Sequence, residues 1–328
     1  MPERLANRHG TGWTLVEFVI ALTLSMLLTL LASGLLLAAA SSYRHHNDQQ
    51  DLNDAGRQAL TLLAQAIRQA AYVEWDSAAA PVGLAEDLPA AIAGLDGRSL
   101  SRSSEGISAA LPAVAHGSDV LALRFAGSGP GPGSGSGSAA SGDGSSVNCA
   151  GFAVTTPAAA EAQGWSIFYV AADAGGEPEL RCKYRSASGW GSDALLRGVE
   201  SFQVLYGVDT DTPADGLPNS YLNATAINAL DAGLALVGAT VAERQRDLNR
   251  KTYWKRVGSI ELALLLRADA ATRADTGSRQ FVLFGAAYAD AHAEDDGTRI
   301  DEARLPEAQR RRVRVLVGST IALRNGRS

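Results

Sequence analysis

From residue 18 to residue 40 the chain runs almost without a polar break, and beyond residue 49 the pattern becomes a helical stripe. The first stretch holds 23 apolar or small residues in a row. A soluble helix does not need such a run, whereas a membrane span does, because about 20 residues rising roughly 1.5 Å each cross the hydrocarbon core. In the second stretch Leu52, Ala59, Leu63, Ala66, Ile67 and Ala70 recur at spacings of three, four and seven, with Asp51, Asp54, Arg57, Gln58, Gln65 and Arg68 between them. That spacing leaves one helix face for packing. No proline intervenes between Trp13 and Tyr72, so the pattern predicts one continuous helix of about 60 residues and about 90 Å. Gly34 and Gly56 are where it is expected to bend or loosen.

Beyond residue 76 the period falls to two. Residues 119–125, 165–170, 180–185 and 200–208 read as strands, with Asp173-Ala174-Gly175-Gly176 turning the second into the third. Ile260, Leu262, Leu264 and Leu266 alternate with Glu261, Ala263, Leu265 and Arg267, and residues 281–287 and 312–323 are expected to close the chain as a strand pair. Residues 224–247, rich in Ala and Leu, predict an extra helix. One long helix followed by strands implies an α+β protein, with a mostly antiparallel sheet packed on the helix. Residues 127–146 are nearly all Gly, Ser, Ala and Pro. They carry too little apolar surface to offset ordering entropy and read as a flexible insertion.

Glu17 stands at the mouth of the apolar run, where an acidic side chain costs about 2.5 to 3.5 kcal/mol and is read as functional by default. Together with Gly12-Trp13-Thr14-Leu15-Val16 it resembles the processing site of type IV prepilins. The resemblance implies cleavage by a prepilin peptidase between Gly12 and Trp13, N-methylation of Trp13, and a role for Glu17, the fifth mature residue, in filament assembly. Members usually begin with Phe, and Trp13 departs from that. A secretory signal peptide, with Leu35-Leu36-Leu37-Ala38-Ala39-Ala40 as its cleavage region, is the plainer alternative, and so is an uncleaved anchor. The apolar run exceeds the roughly 7 to 15 residues of a signal peptide's core, and Glu17 suits neither.

The resemblance divides the chain into a leader at 1–12, a membrane or filament-core half-helix at 13–40, an amphipathic half at 41–75 and a β-rich domain at 76–328. Arg4 and Arg8 precede the span and favour a cytoplasmic amino-terminus, although Arg44 lies on the far side; the resemblance implies the inner membrane of a Gram-negative cell. The net charge is −6. Loss of Arg4, Arg8 and Glu3 with the leader shifts it to −7, which does not suit a general nucleic-acid binder.

Three later stretches narrow the resemblance. They are Gly198-Val199-Glu200-Ser201-Phe202-Gln203-Val204-Leu205-Tyr206-Gly207-Val208-Asp209, then Trp254-Lys255-Arg256-Val257 leading into Leu264-Leu265-Leu266-Arg267, and Arg312-Val313-Arg314 with Thr320-Ile321-Ala322-Leu323-Arg324-Asn325. They are similar to the PilW group of minor pilins. That group implies a scarce subunit that joins other minor pilins and the major pilin, primes assembly at the filament tip and helps display an adhesin. The J-class minor pseudopilins of type II secretion are the nearest alternative.

Catalytic signatures are missing from the sequence. There is no Cys-x-x-Cys, His-Glu-x-x-His or Gly-x-Ser-x-Gly, and none of the three lysines follows a glycine. His45 and His46 are adjacent and point about 100 degrees apart on a helix, so they cannot share a ligand. An enzyme is therefore not expected, nor a cofactor. Asp209, Asp211 and Asp215 are weak candidates for Ca²⁺, but their spacing misses the EF-hand pattern and a solvated turn is the preferred reading, as for Asp290, Glu294, Asp295 and Asp296. Arg310, Arg311, Arg312 and Arg314 form a basic cluster. Strand alternation predicts Arg312 and Arg314 outward and Val313 and Val315 inward, an edge guarded by charge, and no aromatic platform for DNA lies beside them. Cys149 and Cys182 are the only cysteines. An exported, oxidising compartment predicts that they form a disulfide.

Overall fold

The structure, a computed structural model, describes residues 14–71, 86–129, 142–157, 163–186, 188–273 and 277–323. Helix α1 (Leu15–Gln69) is a single helix of 55 residues, as the lack of proline predicts. The chain divides into two units, Met1–Asp48 and Gln49–Ser328. In the first unit the apolar side chains, among them Leu15, Phe18, Met26 and Leu35, are exposed. The hydroxyls of Thr23, Ser25, Thr29 and Ser33 donate to carbonyls three or four residues earlier. The polar groups of the run are thus satisfied within the helix, the condition for leaving water.

The second unit begins with β1 (Ile92–Leu95), β2 (Arg98–Leu100), β3 (Ala110–Pro112), β4 (Val120–Phe125), β5 (Gly164–Ala172), β6 (Pro178–Ser186) and β7 (Gly189–Arg197). It continues with β8 (Val199–Val208), β9 (Ser220–Leu222), α2 (Ala224–Ala232), α3 (Val241–Lys251) and β10 (Val257–Arg267). It ends with β11 (Gln280–Val282), α4 (Ala286–Ala291), β12 (Arg299–Asp301), α5 (Glu307–Arg310) and β13 (Arg314–Ala322). A five-stranded sheet runs β1-β4-β5-β6-β7 and a four-stranded sheet runs β13-β10-β8-β9. Every pairing in both is antiparallel. Gly198 alone separates β7 from β8. Its φ of 73° and the Arg267 carbonyl, 2.5 Å from where a Cβ would stand, both require glycine there.

The main core lies where both sheets and the second-unit part of α1 meet. It joins Leu63 and Ile67 to Leu121, Leu123, Phe168 and Val170 of one sheet and to Phe202, Val204, Ile260, Leu262, Leu264 and Leu266 of the other. The alternate residues face two satellite cores, Val120, Ala122, Ile167 and Tyr169 with Leu100, and Ala263 and Leu265 with Leu283 and Ile300. Both faces of each sheet are therefore covered, which is why β8 is buried along its whole length. Gly56 is a packing residue. A Cβ there would stand 3.0 Å from Leu266 Cδ1 and from Val317 Cγ1, so its lack of a side chain sets how closely α1 approaches this sheet.

Three expectations are corrected. Residues 281–287 and 312–323 do not pair with each other: β11 pairs with β12, β13 pairs with β10, and residues 286–291 are helical. Phe281 and Leu283 are instead drawn over Leu265 and Leu316. Residues 224–247 hold parts of two helices, because α2 ends at Gly233 and a Thr240/Glu243 capping box starts α3. Arg314 does not face water; its side chain is fully buried.

Candidate assembly site and the buried charge network

Thr14 and Glu17 close the amino-terminal turn of α1. The Thr14 N–H and Oγ1 donate to Glu17 Oε2 at 2.9 and 3.0 Å, and the Glu17 N–H donates to Thr14 Oγ1 at 3.3 Å. This reciprocal pair is a capping box. Sequence reasoning assigned Glu17 to assembly without noticing that Thr14, three residues earlier, completes this signature. Gly12 and Trp13, where processing is expected, lie outside the described residues.

Cys149 and Cys182 form a disulfide, with their Cα atoms 5.8 Å apart. Cys182 sits in mid-strand on β6, and the Cys149 N–H donates to Ser166 Oγ of β5 at 3.0 Å. The bridge holds the segment that follows the glycine-serine tract. Residues 130–141 of that tract lie outside the described residues. Its two ends are pinned: the Ser128 N–H donates to the Val154 carbonyl at 3.0 Å and the Val154 N–H to the Ser146 carbonyl at 2.9 Å. A Cβ on Gly127 or Gly142 would stand 2.2 or 2.3 Å from the Val154 oxygen, so glycine at both ends permits the approach.

Glu200, Glu302, Arg267, Arg273 and Arg314 form a buried charge network on the face of the four-stranded sheet away from α1. The Arg314 guanidinium donates to both Glu200 oxygens, at 2.6 and 3.0 Å, and reaches Glu302 at 3.2 Å. Arg273 Nη1 lies 2.8 Å from each Glu302 oxygen, and Arg267 Nη1 is 3.6 Å from Glu200. Burial works to raise the Glu200 carboxyl, but His116, 3.8 Å away, and the hydrogen bonds from Arg314 outweigh it and hold its pKa at about 2. Glu177, half-exposed at the rim, pairs with Arg267 and Arg312. None of these acids was singled out from the sequence. The available signal was Glu200 itself, a charge inside an otherwise apolar strand.

The acidic turns and the arginine cluster are engaged in local hydrogen bonding. Asp209 is buried and accepts from the N–H groups of Gly216 and Asp211 at 2.6 and 3.0 Å, which lower its pKa. Asp215 accepts from the Leu217 N–H and Asp211 from the Asn219 amide. The carboxylate oxygens of the three lie within 4.8 Å of one another, and the turn itself uses them. Asp295 is likewise buried, receiving the Tyr288 hydroxyl at 2.7 Å. In the arginine cluster Arg310 donates to the Leu305 and Ala303 carbonyls, Arg311 to the Arg273 carbonyl, and Arg312 and Arg314 to glutamates.

A long apolar amino-terminal helix and an antiparallel, helix-backed globular unit define an α+β fold of the type IV pilin kind. Among the described residues α1 is the one helix long and apolar enough to cross a membrane. Residues 167–325 match the family model described as PilW, Type IV Pilus-assembly protein W. The match takes in β6, β8, β10 and β13, strands that contribute to the main core and the charge network, and it supports a type IV pilus protein of the PilW group. No curated protein and no solved structure matches the chain.

Proposed function

We propose that the chain is a minor pilin: cut by prepilin peptidase after Gly12, N-methylated on Trp13, and built with other minor pilins into a tip complex that primes pilus assembly and carries an adhesin. The match of residues 167–325 to a pilus-assembly family carries this reading, and the apolar α1 supplies the anchor it needs. In this reading residues 13–40 hold the subunit in the inner membrane and then in the filament core. Residues 41–75 carry the domain of residues 76–328 into the periplasm and then to the cell surface. The Glu17 carboxylate pairs with the charged amino-terminus of a neighbouring subunit. The work is scaffolding and not catalysis. Intact mass of the membrane-extracted protein tests the first step, with an amino-terminus at Trp13 expected and one at Ser41 pointing to a signal peptide instead. Recovery with sheared pili tests the second, and recovery with secretion components in their place would transfer the chain to the pseudopilins.

A further inference from the structure

Strand β13 is the outermost strand of the four-stranded sheet. Its register with β10 is unbroken from Ser259 opposite Ala322 to Arg267 opposite Arg314. Just beyond either end, the Leu323 N–H donates to the Gly258 carbonyl and the Ala268 N–H to the Val313 carbonyl, each at 2.9 Å. Hydrogen bonding alternates along an antiparallel pair, so Val315, Val317, Ser319 and Ile321 are the residues that bond to β10. Leu316, Gly318 and Thr320 aim their N–H and C=O groups the other way, and no backbone bond meets them among the described residues.

The other sheet margins are blunted. β1 has four residues and β9 three, and the nine of β7 include Asp193 and Arg197. From Val315 to Ala322, β13 has neither charge nor proline, and Gly318, Ser319 and Thr320 are exposed. Sheets that must remain unpaired guard such an edge, and one left unguarded accepts an extended strand. A second copy of β13, paired antiparallel about Gly318, would set glycine against glycine and Leu316 against Thr320, poor cross-strand pairs that hold no register.

We propose that the β13 edge is a strand-acceptor site for an extended segment of another pilus-assembly subunit, apolar opposite Val315 to Val317 and polar opposite Ser319 and Thr320. This rests on the pilus-assembly reading above and names the surface through which a partner joins. The added strand would extend the sheet beside α1 and bond to Leu316, Gly318 and Thr320.

The test places the photocrosslinking residue p-benzoylphenylalanine at Ser319 in the full chain, in piliated cells, and maps the product by mass spectrometry. A link to an extended segment of another pilus subunit is expected, falling at least tenfold in a Thr320→Pro background. That change removes an outward N–H and spares the β10 ladder. Ser319→Pro removes an inward N–H and should lower the thermal midpoint, whereas Thr320→Pro should not. Equal losses of stability, a link only to a second copy or to lipid, or a link indifferent to Thr320→Pro would each overturn the proposal. Co-recovery with pilus subunits but without a link sinks the strand site alone. If wild type is recovered with no pilus subunit, the functional reading falls and this inference with it.

Discussion

Arg314 and Glu200 meet in a two-point grip, 2.6 Å through Nε and 3.0 Å through Nη2, inside the domain. The same guanidinium reaches Glu302, so one side chain from β13 bridges two buried carboxylates, with Arg267 and Arg273 supplying the rest of the positive charge. Removing one member of such a set leaves uncompensated charge and costs about 3 to 5 kcal/mol. Arg314→Ala should therefore lose that much in urea unfolding. Arg312→Ala, whose partner Glu177 is half in water, should lose under about 1 kcal/mol. Equal losses from the two would return Arg314 to the surface.

The same pair sets an acid limit. Glu200 titrates at about 2 in the fold against 4.5 unperturbed. A depressed carboxyl contributes stability that is present above the unfolded value and lost as pH falls toward the folded one. About 3 kcal/mol should go between roughly pH 5 and pH 2. Asp119 works with the opposite sign, because burial first, and then the Asp96 charge, push its carboxyl well up. The stability of wild type minus that of Glu200→Gln, followed against pH, isolates the Glu200 share. A difference that stays constant down to pH 2 would refute the assignment.

Gly56 and Gly34 make a paired test of packing on α1. A side chain at Gly56 crowds Leu266 and Val317, whereas nothing lies within 4 Å of a Cβ at Gly34. Gly56→Val should cost about 1 to 3 kcal/mol by overpacking. Gly34→Ala should leave unfolding of the globular unit unchanged. The sequence could not separate these two glycines, since both interrupt good helix formers and only the tertiary partner distinguishes them.

What the sequence reveals and what it hides divide along contact range. Helix α1 and strands β4, β5, β6, β8 and β10 follow from local periodicity, and Leu63 and Ile67 fall on the predicted face. Partner choice does not. Phe281 to Val282 is a plausible strand with no local sign that it pairs with residues 299–300 and not with 314–322. Arg314 reads as an edge charge until Glu200 and Glu302 are brought to it from 114 and 12 residues away. Glu17 is the reverse case, because the motif is visible at once and its cap on Thr14 needs only the four residues from Thr14 to Glu17.

The disulfide should hold the segment around Cys149 against β6 in an oxidising compartment. Cys149 and Cys182 close a loop with a sequence separation of 33, worth roughly 3 to 4 kcal/mol in the chain-entropy model. Denatured, unreduced protein should show no free thiol. Cys149→Ser with Cys182→Ser should lower the unfolding free energy by that amount, and two labelled cysteines in the unreduced wild type would contradict the bridge.

Glu17 has two candidate duties, capping α1 through Thr14 and pairing with the amino-terminus of a neighbour, and one substitution separates them. Glutamine at the third helical position still accepts from the capping residue's N–H, so Glu17→Gln keeps the cap and removes the charge. Glu17→Ala removes both. In the proposed filament a carboxylate and an amine buried together offset a cost that neither could bear alone, and a subunit out of register would leave one unmatched. Glu17→Gln should therefore be inserted and cleaved normally yet recover partner pilins as poorly as Glu17→Ala, while Glu17→Asp, shorter by one methylene, should lose only part. Copurification of partner pilins with each processed variant decides it. If Glu17→Gln recovers them at the wild-type level, the helix cap is sufficient and the charge has no part in assembly.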